Sequence, residues 1–417
     1  MADRYPVRVI SPDEFEAFSA VPNEAFLVTW PAEAIETERQ VTEWDRTIAA
    51  FDGSQMVGTG TSYSFQLTVP GSTAGAAGIS AISVLPSHRR RGVLTGMMQY
   101  LLSDAISHGE PLAILFASET AIYGRYGFGL ATWQQRFQIR RGEGTLVAGP
   151  AAAGSGEPQL RSAEASDVQA ELAQVYQTLL AGRPGMLARD DRWWGYLLAD
   201  TEFRRSGMSP RRCLLAEDES GPRGYALYRT KPEWGNDGLP DGTLRISELM
   251  ALDPATAAAL WADLLNRDLV GEVIANMRPV DDPLLAMLTD QRRARPSIGD
   301  GLWVRLTDLP TALCQRSYAG PVDLVLEVAD PVMPGNAGRW RLQAGGPDED
   351  GKATCERTTA PADLNLPVQA LGAGYLGGAR LGQLAAAGWI EEVTSGAVAR
   401  LSAAMAWDPA PWASTMF

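Results

Sequence analysis

Histidine is almost missing from this 417-residue chain, which holds only His88 and His108. The usual neutral-pH general base is therefore nearly excluded. His88 falls in a basic loop, where a loop donor is the simpler reading, and His108 falls at a helix C-terminus, facing the dipole. Cysteine is equally scarce: Cys213, Cys314 and Cys355 are odd in number, far apart and outside any CxxC spacing. That pattern indicates neither a disulfide framework nor a metal site and predicts buried reduced thiols. No apolar run approaches a membrane span, and the opening MADRYPVRVI carries no signal-peptide core, so a soluble cytoplasmic protein with no membrane partner is expected. Basic residues are outnumbered, 36 Lys and Arg against 50 Asp and Glu, for a formal net charge of −14. Such a balance argues against a nucleic-acid partner and favours a cationic small molecule or basic peptide.

What is present is enough apolar material, 45% of residues with 12 tryptophans, for substantial cores in two or three domains. The stretch Gly78–Gly109 organises the rest. Its spacing predicts a strand (Ile79–Leu85), a tight basic loop (Pro86–Gly92) and a helix. Val93, Leu94, Met97, Met98, Leu101, Leu102, Ala105 and Ile106 form one helical stripe, with Gly109 as the left-handed stop. Arg89, Arg90, Arg91 and Gly92 thus stand where a strand becomes a helix. Free N–H groups of the first turn (Val93, Leu94, Thr95), the dipole and three guanidiniums converge there, as phosphate binding requires. The plain alternative is an exposed basic turn before an ordinary amphipathic helix.

Upstream, Ser11-Pro12-Asp13-Glu14 starts a helix and Pro31–Trp44 holds a second amphipathic segment. Arg46 onward reads as an antiparallel meander, with an Asp52-Gly53 turn and Tyr63, Phe65, Leu67 and Val69 alternating. Downstream, PLAILFAS suits a buried parallel strand. ETAIYGRYGFG follows as a short helix and turn bearing Tyr123 and Tyr126, which are three residues apart and share a helical face. As packing residues with satisfied hydroxyls both tyrosines are equally well explained. TWQQRFQIRR is expected to close this first domain as a strand. The Gly/Ala/Pro-rich Gly142–Pro158 then marks a boundary, and the Trp193-Trp194 pair beyond it reads as packing or an interface aromatic.

The basic loop, Arg89-Arg90-Arg91-Gly92-Val93-Leu94, resembles the acetyl-CoA loop of GNAT N-acetyltransferases, with Leu94 where a small residue is usual. Together with Ile122–Gly129 it looks like the Eis (enhanced intracellular survival) family of those enzymes. The resemblance implies that the pantetheine arm lies between two splayed parallel strands. Ile82, Ser83 and Val84 would stand on one strand and Ser118 and Glu119 after the other, with backbone near Val84 polarising the thioester. It implies Tyr123 as the acid that protonates the thiolate, with Tyr126 as the competing assignment. The first helices would line the acceptor side, where Glu14, Glu24, Glu33 or Glu36 are candidates to hold an amine, although each alone reads as a solvated carboxylate.

An internal repeat supports a second, degenerate copy. Leu244–Leu269 again runs strand, proline, helix, but Ala255-Thr256-Ala257-Ala258 replaces the basic loop. GLWVRL (Gly301–Leu306) is expected as its last strand. Beyond Asp308, short strands then helices suggest an α+β unit, which the resemblance makes sterol-carrier-like, with Leu371–Gly378 as its glycine-rich segment. The fold expected is therefore mixed α+β and α/β: a GNAT domain (1–145), a degenerate GNAT-like domain (146–307) and a sterol-carrier-like domain (308–417). The terminal Trp412, Met416 and Phe417 are too apolar for a free tail, and the resemblance makes the Phe417 α-carboxylate the general base.

The implied activity is acetyl transfer from acetyl-CoA to amines of aminoglycosides or similar polyamines, possibly at several positions, by a homohexamer without a metal. Its rivals are a GNAT enzyme dedicated to a protein lysine or N-terminus or one metabolite amine, and a non-catalytic acyl-CoA-binding or lipid-carrying scaffold.

Overall fold

A computed structural model describes residues 4–147, 158–346 and 352–417; most of the expected Gly142–Pro158 linker lies outside these. The chain divides into two compact units, one of Met1–Thr132, Arg183–Ala188 and Gly301–Phe417, the other of Trp133–Gly182 and Arg189–Asp300.

The first unit begins with β1 (Val7–Val9) and the expected helix start. The Glu14 carboxylate accepts from the Ser11 N–H at 2.9 Å and pairs with Arg8 at 2.7 Å. Its hydrogen bonds to Arg8 and then to Ser11 pull its pKa down to about 2. Helices α1 (Phe15–Phe26) and α2 (Ala32–Arg39) follow, then β2 (Thr47–Asp52), β3 (Gln55–Val69) and β4 (Ser72–Val84). After the basic loop come α3 (Val93–Ser107), β5 (Leu112–Phe116), α4 (Thr120–Tyr123) and β6 (Gly129–Leu130). The stripe of α3 is buried against Ile48, Val57, Ile79, Ala113 and Leu115, except that Leu94 is half-buried and Ile106, at its margin, is 50% exposed. Gly58 lets the helix settle: a Cβ there would lie 2.8 Å from Val93 and 3.0 Å from Met97.

Beneath α3, Arg46 is buried and bonded to Asp104 at 2.8 Å and Glu110 at 2.6 Å. Arg46→Met leaves both carboxylates without their cation and is expected to cost about 3–5 kcal/mol, read as a lower urea midpoint with the CD spectrum at zero denaturant unchanged.

The sheet order is β1-β2-β3-β4-β5, then Leu302–Leu306, then β6. The expected closing strands are corrected here. Leu302–Leu306 pairs antiparallel with β5 and β6 in the first sheet, while β7 (Trp133–Arg140) pairs with Val270–Pro279 in the second. Each GNAT-like sheet therefore closes with the strand that follows the other copy. Alternation says that one face of such a strand is buried and leaves open which sheet takes it.

In the second unit, Gly242–Ala251 and Val270–Pro279 run parallel, joined by the helix Pro254–Leu265, so the internal repeat is a repeat of structure. The sterol-carrier-like part of the first unit is a five-stranded sheet (Val322–Ala329, Gly338–Ala344, Thr354–Arg357, Leu364–Pro367, Glu391–Glu392) with helices Val368–Gly374, Leu381–Ala386 and Ala397–Met405. Its first helix lies on β6, where Gly129 and Gly372 meet so closely that a Cβ on either would overlap backbone.

Candidate active site

Strands β4 and β5 pair over only three residues, Ala76 with Leu112, Ala77 with Ala113 and Gly78 with Ile114, and then part. The parting has a local cause. Opposite Gly60, β4 carries an extra residue, since Thr59 pairs with Ser83 but Thr61 with Ser80. Ala81 takes φ 52° in this bulge, a conformation costly for a residue with a Cβ. The Thr59 hydroxyl pins it, 3.1 Å from the Ala81 carbonyl and 2.5 Å from the Ser83 hydroxyl, and Gly60 makes room for Ile82.

The gap opens into a cavity of about 730 Å³ whose lining includes Ile82, Ser83, Val84, Arg89, Arg90, Gly92, Val93, Leu94, Thr95, Ser118, Glu119, Tyr123 and Tyr126. Of the residues expected at the site, Arg91 and Phe417 are not among the lining, and Arg91 is exposed. Helix α3 is N-capped by Gly92, at φ 89° and with no side-chain cap among the described residues, and Val93, Leu94 and Thr95 of its first turn line the cavity. Gly92 has open space where a Cβ would stand. Arg89 donates to the carbonyls of Ala25 at 3.1 Å and Val84 at 3.4 Å, tying the loop to the end of α1. Ala25, Phe26 and Leu27 join the lining as a result. These features fit a pyrophosphate and a pantetheine arm. The second copy shows the contrast: Asp253 caps its helix by accepting from the Thr256 N–H and hydroxyl at 2.8 and 2.9 Å. Its anion site is filled by its own carboxylate.

His88 is buried, its Nδ1 2.9 Å from Ser87 and its Nε2 3.2 Å from Asp52, so it pins the loop to the β2–β3 turn. His108 caps α3, 2.9 Å from the Asp104 carbonyl. The candidate acceptor carboxylates do not converge on this cavity. Glu14 and Glu24 line a separate one of about 830 Å³, and Glu36 pairs with Arg39.

Tyr123 and Tyr126 are both buried. Burial pushes the Tyr123 phenol above its ordinary value, a hydrogen bond with Ser118 opposes this, and nearby Tyr126 adds to it. The Tyr126 hydroxyl is 3.2 Å from that of Thr95. Just past the pair, Gly127 has φ 85° and rests on the fully buried guanidinium of Arg305, which Asp330 holds at 2.6 Å. Gly127→Ala sets a Cβ 2.5 Å from that guanidinium in a strained conformation. A stability loss of about 1–3 kcal/mol is expected, with kcat lower by roughly tenfold to a hundredfold as the tyrosine turn shifts. Urea unfolding and steady-state rates check the two effects.

The Phe417 ring sits where β4 and β5 begin to part, 4.9 Å from Phe65, 5.5 Å from Phe116 and 6.4 Å from Tyr63 between ring centres, beside Gly78. Phe116 is two residues from Ser118, the partner of Tyr123. The bulge at Ala81, the Ser118 bond and the Arg305 support escaped the sequence reading. Only the Gly60 opposite the bulge hinted at it.

A splayed parallel pair, a β-bulge and an uncapped basic helix start define a GNAT acetyltransferase. Accordingly, residues 6–131 match the family described as acetyltransferase (GNAT) domain, 185–306 a second family of that description, and 309–414 a sterol carrier protein domain. The N-acetyltransferase Eis of Mycobacterium tuberculosis is 36% identical over 85% of this chain and 84% of its own. An uncharacterized N-acetyltransferase of Streptomyces coelicolor is 44% identical over 95% and 94%. The crystal structure of Eis1 from Mycobacterium abscessus superimposes with a TM-score of 0.82 at 30% identity, covering 99% of this chain and all of that one. The chain belongs to the Eis family of GNAT enzymes and is an N-acetyltransferase. GNAT acetyltransferases use acetyl-CoA as donor. Among the described residues, no group of three or more His, Cys, Asp and Glu side chains is placed to hold a metal, and no helix is long and apolar enough to cross a membrane.

Proposed function

We propose that this enzyme transfers acetyl groups from acetyl-CoA to amines of aminoglycosides or related polyamines, at more than one position per acceptor. The observation that carries the donor half is that one cavity is lined by both the basic helix start and the tyrosine turn. The formal charge of −14 supports a cationic acceptor, and the Eis relatives support an amine.

In this reading the α3 amides with Arg89, Arg90 and Arg91 bind the phosphates. The backbone of Ile82–Val84 and Ser118-Glu119 orients the pantetheine arm, and backbone near Val84 polarises the thioester carbonyl. The Phe417 carboxylate takes the proton from the ammonium, directly or through water, and Tyr123 gives a proton to the departing sulfur. The proposal includes a homohexamer in the cytoplasm, and light scattering measures the assembly.

The test is mass spectrometry of acceptors after incubation with acetyl-CoA. Kanamycin-like aminoglycosides and other polyamines are expected to gain two or more acetyl groups. Acetylation confined to lysine peptides would replace this reading by a protein acetyltransferase.

A further inference from the structure

The tail that carries Phe417 is held by a segment from a distant part of the sequence. Arg183–Ala188 packs in the first unit although the residues on either side of it belong to the second. On one edge it continues the sheet beside β3: Gly185 N–H donates to Thr68 at 2.8 Å, Thr68 N–H to Met186 at 2.9 Å, and Ala188 N–H to Gln66 at 2.9 Å. On its other edge it meets the tail. Trp412 N–H donates to Pro184 at 2.8 Å and the Arg183 guanidinium to the Ala410 carbonyl at 2.9 Å. Gly185, at φ 94°, lies so close to Trp412 that a Cβ would stand 2.9–3.0 Å from that residue's main-chain atoms. Trp412, Ala413 and Thr415 of the tail are buried. Strand β3 also supplies Tyr63 and Phe65, two of the three rings around Phe417. One strand thus fixes both the cage for the ring and, through Arg183–Ala188, the backbone five residues before it.

We propose that Arg183–Ala188 is a positioning clamp that sets where the Phe417 carboxylate stands, with Gly185 and Arg183 as its key residues. The inference rests on the reading of Phe417 as general base. It explains why a glycine stands at 185: at φ 94° a Cβ would be driven against the Trp412 main chain and push the tail off the segment.

The experiment compares wild type with Gly185→Ala, Arg183→Met and Arg183→Lys. Hydrogen exchange is followed in the peptide covering Trp407–Phe417, alongside kcat and the KM for acetyl-CoA. Gly185→Ala and Arg183→Met are expected to speed exchange of the Trp412 amide at least about tenfold. They should lower kcat by about tenfold or more and leave the acetyl-CoA KM within about twofold. Arg183→Lys, which still donates to Ala410, restores most of the rate. Unchanged tail exchange in both loss variants overturns the clamp, as does faster exchange with unchanged kcat in a protein that needs Phe417. Wild type lacking Phe417 separates the two ideas. If its kcat is intact, the catalytic reading has failed, and exchange alone decides whether the clamp exists.

Discussion

Tyr123→Phe lowers kcat by about 10²–10⁴-fold and leaves the KM for acetyl-CoA within about twofold. The side chain is buried and packs edge-to-face against Phe128 at 6.2 Å, so phenylalanine keeps the packing. What is lost is the hydroxyl and its bond to Ser118, worth about 0.5–1.5 kcal/mol of stability, and with it, in the proposed mechanism, the proton for sulfur. Burial holds the Tyr123 phenol above its ordinary value. The donor form is the protonated one and persists up to that raised pKa. An alkaline loss of rate below about pH 10 therefore belongs to another group, and the pH profile of kcat from 6 to 10 is expected to show no limb that Tyr123→Phe removes. Tyr126→Phe is the control. It breaks the bond to Thr95 at the same cavity and is expected to cost far less. A large loss with Tyr126→Phe and none with Tyr123→Phe would exchange the two assignments.

Removal of Phe417 lowers kcat by on the order of 10²-fold or more. Deletion also empties the space among Tyr63, Phe65 and Phe116, so a second variant separates ring from carboxylate. One alanine added after Phe417 keeps the ring but moves the carboxylate by up to about 3.5 Å, beyond hydrogen-bond reach of its present position. Both variants are expected to lose kcat, and Phe417→Tyr, which keeps ring and carboxylate, to retain it. Full activity in the chain extended by alanine would remove the carboxylate from the mechanism.

Legibility in the sequence followed the range of the interactions. The strand, basic loop and helix were readable because everything they need is contiguous: a strand end, Arg89–Gly92 and a helix whose stripe recurs at i, i+1, i+4 and i+5 from Val93 onward. Ser11 and Glu14 announced their helix for the same reason. The second copy showed itself by Pro254, while the Asp253 carboxylate that caps its first turn carries no mark in the sequence beyond a common N-cap residue. What could not be read were choices of partner. Trp133–Arg140 alternates as a half-buried strand must and Leu302–Leu306 is apolar at every position but Arg305, and nothing local tells either that its sheet is the other copy's. Ala81 has no sequence mark of a left-handed bulge, since alanine disfavours that conformation and what holds it there, Thr59, is a residue of the neighbouring strand. Nothing in the sequence marks Arg305, which burial against Asp330 makes the floor beneath Gly127. The tail was suspected of docking from its composition, but its clamp lies more than two hundred residues earlier.

The most direct test of the account is the initial rate of CoA release from acetyl-CoA with a kanamycin-like aminoglycoside, for wild type, Tyr123→Phe and the chain lacking Phe417. Release over many turnovers, saturating with both substrates, is expected in wild type and is strongly reduced in each variant. Tight acetyl-CoA binding with no release for any amine would contradict it and leave an acyl-CoA-binding scaffold in its place.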